Sequence, residues 1–104
     1  MHYPGDQRTR VMIVGICEIE LFIRDSASLK DKRKIIKSIK SRLRNKYNIS
    51  IAETGNTNSH KYATLGIATV SKDNKRIQKV ISKAKDYIET IPQVMIIKSN
   101  MEIW

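Results

Sequence analysis

The chain has 104 residues, enough for one domain and too few for two. With 40% hydrophobic and 29% charged residues it is a globular rather than a disordered sequence, and its single cysteine, Cys17, excludes an internal disulfide and a cysteine zinc cluster. Twenty Lys and Arg against ten Asp and Glu leave a net charge of +10, which points to polyanionic partners.

Residues 1–10, MHYPGDQRTR, have no apolar periodicity and contain a Pro-Gly pair, so a flexible N-terminal extension is expected there, with a single domain over 11–104. The extension lacks the apolar segment of a secretory signal. The longest apolar run, within VMIVGICEIELFI, is broken by Glu18 and Glu20 and is too short to span a bilayer. The expected location is therefore the cytoplasm, without a membrane role.

From Val11 to Ile23 every odd position is apolar or small, the alternation of a strand with one core-facing side. Its even side, Met12, Val14, Ile16, Glu18, Glu20 and Phe22, is half apolar, as suits a central strand whose second face is partly wet. Cys17 falls on the core side and is expected to be a packing residue, not a nucleophile.

A short connection leads to Ser28–Tyr47, SLKDKRKIIKSIKSRLRNKY, a predicted helix of about five turns. Ser28 as N-cap, with Asp31 three residues on, forms a capping-box pattern in which Asp replaces the usual Glu. Leu29, Ile35, Ile36, Ile39, Leu43 and Tyr47 share an arc of about 120°, the stripe a helix docks on a core. Measured from Leu29, the residues Lys40, Arg33, Arg44, Lys37, Lys30 and Lys34 follow from about 20° to about 140°, with no acid among them. Like charges three and four apart oppose helix formation by a few tenths of a kcal/mol per pair, so helix stability alone does not select this ridge. A lysine-rich composition accounts for many of these residues, but not for the exclusion of acids from one face.

Asn48 is expected to end the helix, and a short strand Ile49–Thr54 points Ile49 and Ile51 inward. GNTNSH, residues 55–60, has the composition of an open hairpin loop with a mobile tip. A strand over Lys61–Val70 then sets Ala63, Leu65 and Ile67 on one face and Tyr62, Thr64, Gly66 and Ala68 on the other, where the small residues permit close approach. Ser71–Asp73 opens a second helix with apolar Ile77, Val80, Ile81, Ala84, Ile88 and Ile91, stopped by Pro92. Its outer side is basic through Lys75, Arg76, Lys79, Lys83 and Lys85, diluted by Asp86 and Glu89. A last strand over Val94–Trp104 is expected to place Met95, Ile97, Met101 and Ile103 on one face.

The order β-α-β-β-α-β, with right-handed crossovers, predicts an α+β ferredoxin-like sandwich: a four-stranded antiparallel sheet with two helices on one face, the first and third strands central. MIVGICEIELFI, SLKDKRKIIKSIKSRLRNKYNISIAE and ATLGIATVS resemble the YlxP-like family, a bacterial domain-of-unknown-function family, over about residues 12–104. SLKDKR and ATLG are the most specific parts of the likeness. The resemblance implies a ferredoxin-like fold, no established activity, and a gene often beside those for ribosome-binding factor A and translation initiation factor two. Family members often carry a Trp shortly before the ATLG-like strand, where this chain has His60 or Tyr62.

Lys30, Arg33, Lys34, Lys37, Lys40 and Arg44 are the candidate nucleic-acid-binding residues, able to follow a phosphate backbone independently of sequence. Reading RNA with Phe22 and Tyr62 on the open sheet face is disfavoured, because Glu18 and Glu20 share that face and repel phosphates. Glu18 and Glu20, with Glu102 on a neighbouring strand, have no Ser-His-Asp, Cys-His or HExxH companion, and His2 and His60 have no motif partner. Pairing across strands with Lys61 or Lys98 is the expected role of those carboxylates, so no catalytic residue, metal or cofactor is assigned. Met12, Val14, Ile16 and Phe22 are the candidate interface residues of the open face. The sequence thus reads as a small non-enzymatic RNA-binding protein of the ribosome or its assembly. The alternative is a homodimerising interaction module that uses the open sheet face.

Overall fold

Alternation and helical periodicity become a two-layer structure in a computed structural model that describes residues 12–104; the expected extension over 1–10 and the Val11 start of the first strand lie outside the described residues. The elements are β1 (Ile13–Ile23), α1 (Leu29–Lys46), β2 (Ser50–Gly55), β3 (Tyr62–Ser71), α2 (Asn74–Glu89) and β4 (Val94–Ile103). The sheet order is β2-β3-β1-β4, and every pairing is antiparallel, the ferredoxin-like arrangement with β1 and β3 central.

The odd side of β1 faces the helices. Cys17, Ile19, Leu21 and Ile23 are buried there with Ala63, Leu65 and Ile67 of β3, Ile51 of β2 and Val94 of β4. The helices cover this side with Ile36, Ile39 and Leu43 of α1 and Ile77, Ile81, Ala84 and Ile88 of α2. A side chain at Gly15 would run into Ile77, so glycine lets α2 settle close to β1. Gly66 plays the matching part on the other face, where a Cβ would lie 2.8 Å from Cγ2 of Thr54. Burial pushes the Cys17 thiol above its ordinary range, with Lys85 pulling the other way, as befits a core residue rather than a reactive thiolate.

Local chemistry fixes the helix ends. Ser28 Oγ accepts from the Asp31 amide (3.1 Å), and Asp31 Oδ2 accepts from the Ala27 amide (3.2 Å), one residue before the position reached in the usual capping box. Asp73 caps α2 by accepting from the Lys75 amide (2.9 Å).

β4 departs from the expected alternation. The register against β1 shifts between Glu20 and Leu21, from Lys98 to Ile96, so Ile97 is an inserted bulge residue. Met95 consequently stands beside Phe22 on the open face, whereas Met101 and Ile103 stand beside Cys17 and Gly15 on the helix side. The four residues expected on one face are divided because one extra residue reverses the parity of a strand.

Candidate nucleic-acid interface

The buried stripe of α1 is Lys32, Ile36, Ile39 and Leu43, while Leu29, Ile35 and Tyr47 from the expected arc are only half-buried at its margins. A lysine thus occupies a core position, 1% exposed. Its ammonium has three protons and three acceptors: Glu53 Oε2 at 2.7 Å, the Asn56 carbonyl at 2.7 Å and the Ser59 carbonyl at 2.6 Å. Glu53 arrives by strand parity, two residues after inward-facing Ile51, and its side chain is 18% exposed.

The two carbonyls belong to the β2–β3 loop. Asn56 adopts a left-handed backbone (φ 59°), which Asn tolerates better than most residues, and its side-chain amide donates to Thr64 Oγ1 (3.0 Å). Ser59 donates its amide to the Asn56 carbonyl (3.0 Å) and accepts at Oγ from the amides of Lys61 and Tyr62. In place of an open loop with a free tip, the chain forms one tied from below by Lys32. Sequence reasoning missed Lys32 and Glu53. The available signal was a lysine that lies off the cationic ridge and four, seven and eleven residues before Ile36, Ile39 and Leu43, in step with the apolar stripe.

The six expected phosphate ligands divide around the helix. Arg33, Lys37, Lys40 and Arg44 come together along a shallow groove between α1 and β2, with Ile36, Ser41 and Glu53 beneath. Lys40 is half-buried and the other three are exposed. Lys30 is one turn before Arg33 in the same row. Lys34 lines instead a cleft between the two helices, with Ile35, Arg42, Tyr87 and Ile91. Among the described residues the one ion pair is Lys32–Glu53, so no carboxylate is paired with a ridge cation. Arg44 is steadied by donating to the Ile51 carbonyl (2.8 Å). Glu53, the acid on the groove floor, is already matched by Lys32.

Further cations extend the basic surface. Arg42 donates to the Tyr87 hydroxyl (3.3 Å), and Lys46 lies 4.9 Å from the centre of the same ring. Lys75, Arg76, Lys79 and Lys83 surround Tyr47 at the start of α2, while Lys85 turns away and donates to Ser99 Oγ of β4 (3.3 Å).

The opposite face has another character. Val14, Ile16 and Phe22 are half-buried and Met12 is exposed, with Phe22 meeting the Tyr62 ring edge-on (centroids 5.6 Å apart). Glu18 and Glu20 separate Ile16 from Phe22, so the expected interface residues form two apolar ends rather than one patch. Glu20 stands opposite Lys98 in the register, the neighbour expected from sequence, but the two form no ion pair, and Glu18 stands opposite Asn100. Lys61 is not their neighbour: its carbonyl accepts from the Ile23 amide. No described helix is long and apolar enough to cross a membrane.

Residues 14–101 match the family described as a protein of unknown function, DUF503. The chain is 34% identical over 82 residues to the uncharacterized protein YlxP of Bacillus subtilis, covering 79% of this chain and 89% of that one. Two solved structures share the outline at low identity. They are the de novo designed protein Foldit4 (14% identical, TM-score 0.49, 89% of this chain and 93% of that one) and a dimeric ferredoxin-like protein of unknown function from Thermobifida fusca (12%, 0.45, 88% and 90%). With nearly the whole domain matched and YlxP a relative over most of its length, the chain belongs to the DUF503 family.

Proposed function

We propose that this protein is a small non-enzymatic RNA-binding protein of the cytoplasm, which lays the groove flank of α1 along a phosphate backbone. The observation that carries the reading is the row Arg33, Lys37, Lys40 and Arg44, which borders one groove and shares no ion pair with a described carboxylate. At 1.5 Å per residue the row is about 16 Å long, and Lys30 lengthens it by about 4 Å, a span suited to several phosphates. Helix residues docked by Ile36, Ile39 and Leu43 hold those charges on a rigid support, which lowers the ordering cost of binding. The family's usual gene neighbours make ribosomal RNA the first ligand to test. With about five phosphates contacted, affinity should fall roughly 500-fold between 50 and 200 mM salt. Binding of labelled ribosomal RNA across a salt series, with co-sedimentation on ribosomal subunits, tests the reading. An affinity insensitive to salt, or unchanged by charge reversal at Arg33, Lys37 and Lys40, would remove it.

A second reading, self-association, is supported by exposed apolar side chains away from the helices: Tyr62, Val70, Met95 and Trp104. Ile16→Glu on the open face should then abolish a dimer seen by sedimentation.

A further inference from the structure

The two edges of the sheet are finished differently. β2 is six residues long, and Arg44 of α1 bonds to its Ile51 carbonyl. β4 is ten residues long, and among the described residues no strand pairs with its outer side. Trp104 exchanges both main-chain hydrogen bonds with Val14 (3.1 and 2.7 Å). Counting back by twos, Glu102, Asn100 and Lys98 also turn their main-chain groups toward β1, and Ser99, Met101 and Ile103 turn theirs outward. Such an outward row is a template for another strand. Ile97 and Met101, 47% and 42% exposed, lie along it.

We infer that a second copy of this chain adds to β4, antiparallel, about a two-fold axis at Asn100. The reason is charge. That register sets Lys98 opposite the partner's Glu102 and Glu102 opposite the partner's Lys98, with Ser99 opposite the partner's Met101. Both charged side chains lie on the open face, since their β1 neighbours are Glu20 and Ile16. They fall at non-hydrogen-bonded positions, where facing side chains approach most closely. A lysine on an exposed edge ordinarily repels foreign strands; here it meets its opposite charge in a copy of itself. The Ile97 bulge, which would disrupt pairing, lies outside 98–102.

This contact develops the second reading but moves it from the open face to the edge. Face-to-face stacking would bring the Glu18 and Glu20 carboxylates of two copies together, whereas edge pairing avoids that. It also leaves the basic groove free, because β2 is at the far side of each sheet. A one-strand contact buries less than the roughly 1,200 Å² of a standard interface, and Lys85 beside Ser99 adds like charge near the axis, so a weak, reversible dimer is expected.

Sedimentation velocity of the full chain over a concentration series provides the test. The wild type should dimerise, and Glu102→Lys and Lys98→Glu should each weaken association about tenfold or more, because both cross-axis pairs become repulsive. Mixing those two variants should restore wild-type association, as should the double charge exchange in one chain, which serves if either single variant folds poorly. A chain that stays monomeric would overturn both this inference and the second reading. A dimer broken by Ile16→Glu but indifferent to the charge exchanges would overturn the edge contact and keep the second reading.

Discussion

The helix layer and the sheet face behind it are built from one chain but carry different chemistry. α1 contains nine Lys or Arg and one Asp, and α2 contains five against Asp86 and Glu89; the remainder of the chain has six basic and seven acidic residues. The helices therefore hold the whole of the +10 excess, and the rest is close to neutral. A compositional taste for lysine would spread it through strands and loops as well. What separates the layers is position, and position is what electrostatic steering of an anionic polymer acts on. The sheet face, with Glu18, Glu20 and Glu102 between apolar ends, suits a protein contact better than a phosphate.

The largest effect should come from the one cation of α1 that the surface does not share. Lys32→Ala leaves Glu53 and two carbonyls without their donor, and about 3–5 kcal/mol of stability should be lost, measured by urea unfolding. Lys32→Met with Glu53→Leu should recover part of it, since no unpaired ion remains, while the carbonyls of Asn56 and Ser59 still lack the Lys32 donor. Next, reversing Arg33, Lys37 and Lys40 to Glu should lower RNA affinity at least about 100-fold at low salt and flatten the salt slope by about 2.7. Reversing Glu18 and Glu20 to Lys on the sheet face should change that affinity far less; equal effects from the two layers would erase the distinction between them. Within the core, Gly15→Ala should destabilise by about 1–3 kcal/mol through contact with Ile77, read as a lower thermal midpoint. The smallest effect is at the start of α1, where Ser28→Ala should cost about 1 kcal/mol by removing the cap on the Asp31 amide.

The order of elements, the buried side of β1 and the cationic side of α1 were legible because each is a repeat within one segment. A period of two residues in a strand or 3.6 in a helix carries its own geometry, whatever the segment packs against. The candidate groove was legible only in part: Arg33, Lys37, Lys40 and Arg44 do line one surface, but helical angle alone could not say that Lys34 would face α2.

Sequence by itself therefore determined which faces could be buried and where the excess charge would collect, since both follow from spacing along the chain. Tertiary structure decided what met those faces. Lys32 is stable in the core only because Glu53 and the carbonyls of Asn56 and Ser59, more than twenty residues away, converge on it. The faces of β4 were decided by a bulge that exists only in its pairing with β1. Partners brought together by folding have no periodic trace, and the free energy of a buried charge or an inserted residue depends on those partners rather than on its neighbours in sequence.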